Sequence, residues 1–228
     1  LLVYLPIVQA ESRRAPLFIF RQWLARMLIL RPIPALIVGD SSEQTLLPKP
    51  GVGNFGDWFA GLVADYPRAY SKIEAYLKEI MPDLNDIQNP LVGKGARNLE
   101  VQFVKNGASL EVDFEDISDG EKIFMICSVV LAASEAYGPL LCFWDEPDNY
   151  LALDEVGHFV MALRKAFKSG GQFIATSHNP EAIRGFSDEN TLYLQRKNHF
   201  EPTVVRPINQ LQIHGDLVNA LIRGDVEP

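Results

Sequence analysis

The sequence predicts an α/β fold in which parallel strands are joined by crossover helices and preceded by a β-hairpin. The apolar runs LLCFW (140–144) and QFIATS (172–177) have the composition of buried parallel strands, and an amphipathic helical pattern at 154–170 connects them. Upstream, NLEVQFV and SLEVDFE alternate apolar and polar residues around Asn106–Gly107, a strong hairpin signal. The hairpin is therefore expected over 99–115.

The segments before the hairpin are predicted to be mainly helical. Helical spacing runs over PLFIFRQWLARMLIL (16–30), with Pro16 in the first turn, and Pro32 and Pro34 end it. Two further helices are expected over 54–80, with Asn54 as the N-cap of the first. Residues 82–97 are predicted to be an irregular connector, because they show neither helical nor strand periodicity.

The segments after the hairpin alternate between helix and strand. A capping-type Ser118 precedes a long apolar run that ends at Gly138, which predicts a helix. Beyond the second parallel strand, TLYLQR and PTVVRP are predicted to be further strands, and residues 207–223 a final helix.

Composition excludes some classes of protein. With 228 residues, of which 47% are hydrophobic, the chain can bury a sizeable core. Its net charge of −8 argues against a surface that coats nucleic acid. Cys127 and Cys142 lie in apolar runs without metal-ligand spacing, so we predict reduced core residues of a cytoplasmic protein. The apolar opening at 1–10 is too short to span a bilayer, and no membrane association is expected.

Three polar segments follow or begin these elements in a fixed order. SDGEK begins a helix at 118–122, DEP ends a strand at 145–147, and TSHN ends the next strand at 176–179. Ligands of parallel sheets bind at the carboxyl ends of the strands. The second and third segments are therefore expected to converge on one site.

Asp145 and Glu146 come directly after an apolar strand. An acidic pair at a strand end is often no more than solvated surface. The apolar run before this pair favours a functional role, in which Asp145 reaches a Mg²⁺ ion and Glu146 faces an attacking water as general base. A divalent ion that is bound with a nucleotide needs only one or two carboxylates besides phosphate oxygens.

The other two segments each have an ordinary and a functional interpretation. Ser118 and Glu121 form a capping-box pattern, which is the favoured reading on local grounds. The alternative for Ser118, Asp119, Gly120 and Glu121 is an anion site, because a helix N-terminus offers free N–H groups and Gly120 lets a phosphate approach. His178 is either a turn histidine or a group that senses phosphate beside the acidic pair.

Together, the three segments resemble motifs of ATP-binding-cassette (ABC) ATPases. ISDGEK resembles the signature motif, LLCFWDEP the Walker B strand, and IATSHNP the switch-histidine segment. Asp119 and Glu121 replace the usual glycine and glutamine, as in the branch that includes SMC, RecF and overcoming-lysogenization-defect (OLD) proteins and the AAA-type ATPases of bacterial phage defence. The resemblance spans roughly residues 99–196.

The resemblance implies a fold and a division of the chain. The fold is the C-terminal lobe of an ABC/SMC-like P-loop NTPase with a helical insertion. The division has a helical insertion or arm region at 1–98, an ATPase lobe at 99–206 and a C-terminal helix at 207–228. In the sequence, the hairpin precedes the helix with the signature-like motif, which is the order of the family.

The resemblance also implies an ATPase that uses ATP and Mg²⁺ and closes as a homodimer. By position, Asp145 would hold Mg²⁺, Glu146 would polarise the water and His178 would contact the γ-phosphate. The 118–121 segment of the opposite subunit, chiefly Ser118 and Gly120, would contact the same phosphate. The family's ATPases drive effectors in DNA repair or phage defence, so a separate nuclease partner and DNA are further expectations.

The sequence departs from the family pattern at two places. The phosphate-binding P-loop, G-x-x-x-x-G-K-[ST], does not occur in the 228 residues; GVGNFGDW has no lysine. The chain is therefore expected to be the C-terminal portion of a longer ATPase and to be inactive alone. Ala152 occupies the position of the family's D-loop aspartate, and Asp154 follows two residues later.

Other hypotheses remain open. The missing P-loop allows a regulatory or interaction module that uses ATP as structural glue or not at all. An OLD-type nuclease is disfavoured, because the acids after His178 show no cluster at a strand end. A solvated helix face is favoured over a DNA-contacting groove for the five arginines of the first segment, which are Arg13, Arg14, Arg21, Arg26 and Arg31.

Overall fold

The computed structural model describes residues 16–93, 95–168, 170–186, 191–211 and 216–223. Its α-helices are α1 (Pro16–Leu24), α2 (Phe55–Asp65), α3 (Arg68–Ile80), α4 (Asp119–Tyr137), α5 (Leu153–Phe167), α6 (Pro180–Phe186) and α7 (Leu217–Arg223). Its strands are β1 (Met27–Leu30), β2 (Leu84–Gln88), β3 (Leu91–Val92), β4 (Ala96–Arg97), β5 (Glu100–Lys105), β6 (Ala108–Asp113), β7 (Leu141–Trp144), β8 (Gln172–Ala175), β9 (Leu192–Gln195) and β10 (Val204–Pro207).

A three-stranded parallel sheet, in the order β1–β7–β8, lies at the centre of the fold. It confirms the predicted parallel strands, and α5 is the crossover from β7 to β8. One face of the sheet is core: Leu28, Leu30, Cys142 and Trp144 are buried there. Trp144 meets the ring of Phe159, from α5, edge to face, with 5.6 Å between ring centroids. Helix and sheet therefore share one apolar layer.

The opposite face of this sheet carries an open apolar row. Ile29, Phe143 and Ile174 are neighbours in the strand register, one from each strand. Ile29 is 49% exposed and Ile174 is 42% exposed. Parallel sheets are normally covered on both faces. This face therefore has the character of a surface that receives a further layer.

Part of the first segment is a strand and not a helix. The helix predicted over 16–30 is confirmed from Pro16 to Leu24 and wrong beyond it, because Met27–Leu30 pairs in parallel with Leu141–Trp144. A four-residue apolar run can continue a helix or form a buried strand, and here pairing with β7 decides the outcome. Residues 11–15 lie outside the described residues. The boundary at residue 98 stays a prediction, although β1 joins the sheet formed by β7 and β8.

The predicted hairpin is confirmed as β5 and β6. Asn106 and Gly107 have φ angles of +52° and +82°, the left-handed values that a two-residue hairpin turn requires. The irregular connector predicted at 82–97 is wrong in part, because Leu84–Gln88 forms a third strand against β5. A register shift between Leu84 and Asp86 interrupts the alternation, which explains why the pattern did not reveal this strand.

The predicted helices over 54–80 are confirmed as α2 and α3, and the helix after Ser118 is confirmed as α4. Asn54 is the N-cap residue of α2, as predicted, but its side chain makes no cap hydrogen bond, and its Oδ1 instead accepts from Lys49 N at 2.7 Å. Helix α4 packs against α3 on one side and α5 on another, and most of its residues are buried.

The C-terminal part contains two strands and the short helix α7, which contacts α6. Strands β9 and β10 are confirmed and pair with each other in an antiparallel ribbon. The helix predicted over 207–223 is observed as a short 3₁₀ turn at Ile208–Gln210 and as α7; residues 212–215 lie outside the described residues. None of the described helices combines the length and apolarity needed to cross a membrane.

Both cysteines are free and buried, as predicted. Burial raises the pKa of the Cys127 thiol to about 12, and burial also raises the pKa of Cys142. Thiols of this kind are unreactive core groups, because the thiolate is the nucleophilic form.

Candidate active site

The carboxyl ends of β1, β7 and β8 meet at one edge of the parallel sheet. Arg31, Asp145 and Thr176 are the first residues after these three strands. The backbone pairing continues into this edge, since Asp145 N donates to Leu30 O at 2.8 Å and Thr176 N donates to Trp144 O at 3.3 Å. The sheet therefore fixes the base of each side chain at the location where parallel sheets bind ligands.

Thr176 joins the two predicted segments through its hydroxyl group. Its Oγ1 donates to Asp145 Oδ1 at 2.7 Å and accepts from Glu146 N at 2.9 Å. These two bonds use both the donor and an acceptor of one hydroxyl, so they orient Asp145 and the start of the turn together. Thr176 belongs to the TSHN segment, but the sequence pattern predicted no role for it.

Glu146 stands at the turn after β7. Its backbone has φ of +47°, a left-handed value that is uncommon for a residue with a side chain and is often found at functional sites. Its Oε1 lies 3.2 Å from His178 Nε2, and its Oε2 accepts from Asn149 Nδ2. The side chain of Glu146 is 35% exposed and that of His178 is 88% exposed. The structure thus brings Asp145, Glu146 and His178 together, as the sequence predicted.

Asp148 is a buried carboxyl beneath this turn, and sequence analysis missed it. It is 2% exposed, and burial raises the pKa of its carboxyl group. Its Oδ2 accepts from Ser177 Oγ at 2.9 Å, while its Oδ1 is buried without a hydrogen-bond partner. Ser177 Oγ also accepts from Asn179 N at 3.0 Å. The hydrogen bond between Ser177 and Asp148 therefore links the segment that contains His178 to the turn that contains Glu146.

Replacing Asp148 by asparagine should change how stability depends on pH. With a raised pKa, the folded protein keeps a proton on Asp148 at pH values where the unfolded chain has lost it, so wild type loses stability as pH rises through this window. The Asp148→Asn variant lacks this titration and keeps an acceptor for Ser177. Its free energy of unfolding, relative to wild type, should increase as the pH rises above about 4, the ordinary pKa of an aspartate, measured by urea denaturation.

The matched control for this prediction is Asp113→Asn, which changes an exposed aspartate of β6. The difference in free energy of unfolding between Asp113→Asn and wild type should not increase with pH in the way expected for Asp148→Asn. A stability difference for Asp148→Asn that is constant or falls as pH rises contradicts the assignment of a protonated carboxyl at this position.

The 118–121 segment lies at the start of α4. The capping box is present: Ser118 Oγ accepts from Glu121 N at 3.3 Å, and Glu121 Oε2 accepts from Ser118 N at 2.7 Å. A Cβ atom added to Gly120 would lie 3.0 Å from Tyr150 O, so the helix start lies against the turn that follows Glu146. Ser118 and Asp119 are exposed, and the side chains of Ser118 and Glu121 each accept from the backbone N–H of the other residue and not from Asp145, Glu146 or His178.

Arg31 is the further charged residue at the sheet edge. Its Nε lies 3.5 Å from Asp145 Oδ2, with the arginine side chain 78% exposed and the aspartate 35% exposed. The predicted placement of Arg31 on a solvated helix face is wrong, because Arg31 directly follows strand β1. Arg26 Nη1 donates to Gly138 O at 3.1 Å and so has a partner within the fold. Arg13 and Arg14 lie outside the described residues.

The residues at this edge fit a metal ion that arrives with a nucleotide. Within the part of the chain that the structure describes, no group of three or more His, Cys, Asp or Glu residues could hold a metal ion. Asp145 nevertheless offers a partly exposed carboxylate at a strand end. Mg²⁺ accepts one or two protein carboxylates when phosphate oxygens and waters supply the other ligands. These ligands therefore suit a metal ion that is bound together with a nucleotide, and not a metal ion that is held by protein side chains alone.

The position of the expected D-loop aspartate belongs to the start of α5. Ala152 is the N-cap residue, and its backbone N donates to Glu155 Oε2 at 3.0 Å. Asp154 is exposed in the first turn of α5. The carboxylates near this position thus lie at the helix N-terminus, where negative charge is favourable.

Comparison with known proteins identifies the family. Residues 40–184, more than half of the chain, match the family described as "AAA domain, putative AbiEii toxin, Type IV TA system". No curated protein was found to match the chain.

Solved structures show the fold at low sequence identity. The Smc head domain with a coiled coil and joint from Pyrococcus yayanosii is 13% identical, with a TM-score of 0.51; the match covers 64% of this chain and 28% of that chain. An Smc head bound to the C-terminal winged-helix domain of ScpA is 12% identical, with a TM-score of 0.50, covering 65% of this chain and 45% of that chain. The matched part is thus less than half of either relative. The chain belongs to this AAA-domain family, and its fold is that of a lobe of an ABC/SMC-like P-loop ATPase.

Proposed function

We propose that this chain supplies the hydrolytic half of an ATP site in a cytoplasmic ATPase that closes as a homodimer. The observation that carries the proposal is the convergence of Asp145, Glu146 and His178 at the carboxyl edge of a parallel sheet, tied together by Thr176. Phosphoryl transfer depends mainly on positioning and charge stabilisation, and these side chains offer both.

Each side chain has a distinct role in the proposal. Asp145 would hold Mg²⁺, which when bound neutralises charge on the phosphates. Glu146 accepts a proton from the attacking water, because it is the partly exposed carboxylate next to the metal ligand. His178 lies 3.2 Å from Glu146 and is largely exposed. One of its ring nitrogens can face the γ-phosphate while the contact with Glu146 orients that carboxylate as the general base.

The 118–121 segment is proposed to act on the site of a second copy. Two features support this. Ser118 and Asp119 are exposed at a helix N-terminus, where a phosphate from outside is favoured. The segment also lies beside Tyr150 and thus next to the turn after Glu146, so both halves of a two-fold interface would occupy one surface.

The phosphate-binding loop is proposed to come from a further lobe of the same protein. The 228 residues contain no P-loop sequence. The open row of Ile29, Phe143 and Ile174 supports a lobe that covers this face of the sheet, because a parallel sheet buries both faces when complete. By analogy with the Smc head bound to ScpA, a protein effector is the proposed partner, with a nuclease of DNA repair or phage defence as one form of it.

The experiment that tests this function measures Mg²⁺-dependent ATP turnover by the full-length protein. Wild type should hydrolyse ATP, and Asp145→Asn should lower turnover by about 100-fold or more, because charge stabilisation at the phosphates is lost. Asp65→Asn, an exposed aspartate at the end of α2, is the control and should keep wild-type turnover. ATP binding by wild type without turnover would instead favour a regulatory module. Equal turnover by Asp145→Asn and wild type would reject the assigned site.

A further inference from the structure

We propose that Arg31 is a phosphate-binding residue that pairs with Asp145 until the metal and the nucleotide arrive. This inference rests on the proposed ATP site, and it assigns to that site a residue that the sequence motifs do not include. The proposal is an exchange. With metal and nucleotide bound, Asp145 Oδ2 would be a metal ligand in place of its contact with Arg31, and the released guanidinium group would bind a phosphate oxygen of the nucleotide.

The backbone geometry holds Arg31 at the ligand edge while leaving its side chain free to move. Its own N–H donates to Pro50 O at 2.6 Å, and the carbonyl of Leu30 before it accepts from Asp145 N at 2.8 Å. The side chain is 78% exposed. A fixed backbone with an exposed guanidinium group is the arrangement of a residue that changes partner without a change of fold.

The two oxygens of Asp145 explain why the metal and Arg31 compete. Oδ1 accepts from Thr176 Oγ1 at 2.7 Å, and Oδ2 lies 3.5 Å from Arg31 Nε. A divalent ion at Asp145 would use Oδ2, the oxygen that does not accept from Thr176, and two cations cannot share this oxygen at low cost. An exposed ion pair contributes little to stability, so a divalent ion would displace Arg31 at small cost.

The released guanidinium group has one obvious new partner. Glu146, the other carboxylate of this edge, already pairs with His178 and Asn149. The planar fork of arginine matches phosphate oxygens better than a lysine ammonium does. The polyphosphate that comes with the metal is then the anion within reach. Arg31 would add to nucleotide affinity and resist the binding of a metal without nucleotide.

The first arm of the test measures the affinity of the full-length protein for Mn²⁺ alone, by water-proton relaxation. Arg31→Met should bind Mn²⁺ up to about 5-fold more tightly than wild type, because the competing cation is gone. Asp145→Asn should lose this binding. Arg68→Met, an exposed arginine at the start of α3, should behave as wild type. Manganese affinity of Arg31→Met that equals or falls below that of wild type overturns the inference.

The second arm measures binding of Mg–ATP by calorimetry. Arg31→Met should weaken this binding by about 10- to 100-fold, since a charge-assisted hydrogen bond is lost. The affinity of Arg31→Lys for Mg–ATP should lie between those of wild type and Arg31→Met. If the ion pair were purely structural, Arg31→Met would change the affinities for Mn²⁺ and for Mg–ATP in the same direction. Unchanged Mg–ATP affinity in Arg31→Met overturns the phosphate-binding role. Failure of wild type to bind Mg–ATP rejects the proposed function itself, and the manganese arm still decides whether Arg31 competes for Asp145.

Discussion

Replacing Glu146 by glutamine should reduce ATP turnover of the full-length protein by about 10²- to 10⁴-fold, the range expected when a general base is removed. Glutamine has nearly the same shape, and its amide can keep the contact with either His178 or Asn149. It cannot accept a proton from water. Binding of Mg–ATP and ATP-dependent dimerisation should therefore persist or strengthen, because the bound nucleotide is no longer consumed.

The measurement is steady-state phosphate release, combined with sizing of the protein in the presence of ATP. Glu135→Gln is the matched control: this exposed carboxylate pairs with Lys72 at 3.1 Å, near the end of α4 that is opposite to the 118–121 segment. It should retain wild-type turnover. Turnover that is unchanged in Glu146→Gln would remove Glu146 from the reaction.

Replacing Trp144 by alanine should lower the free energy of unfolding by about 3–5 kcal/mol. Trp144 is the last residue of β7, is fully buried and packs edge to face on Phe159. It directly precedes Asp145, so the cavity left by alanine would also loosen the base of the site. Chemical denaturation at neutral pH measures the loss, and nucleotide affinity should fall with it.

Two companion variants separate packing from other effects at Trp144. Trp144→Phe should cost much less than alanine, because the indole Nε1 is buried without a hydrogen-bond partner and its removal relieves an unsatisfied donor. Ile29→Ala changes the open face of the same sheet, where Ile29 is 49% exposed, and should have a small effect. A loss from Trp144→Ala no larger than that from Ile29→Ala would contradict the assignment of the core face.

The sequence could predict the elements whose signals are local. The hairpin follows from Asn106–Gly107, because few residues adopt the left-handed turn that these two adopt here. The start of α4 follows from the Ser118 capping box, which is present as expected. The convergence of Asp145, Glu146 and His178 follows from the rule that parallel strands end at one edge.

The rest depends on pairing between distant segments, which a local pattern does not contain. Met27–Leu30 becomes a strand only because β7 lies beside it. Arg31 enters the site for the same reason, more than one hundred residues before Asp145 in the chain. The bonds of Thr176 and of Asp148 are side-chain contacts between neighbouring strand ends, and their one sequence signal was a hydroxyl pair next to His178.

The central claim is that a site is completed by the 118–121 segment of a second copy, and mixing two inactive variants tests it most directly. Glu146→Gln removes the base, and Ser118→Arg blocks the exposed helix start. In a mixed dimer, the intact Glu146 of one copy faces the intact Ser118 of the other. Equal amounts should then regain up to about one quarter of wild-type turnover, because about half of the dimers are mixed and each has one complete site. Mixtures that stay as inactive as the separate variants would contradict the claim.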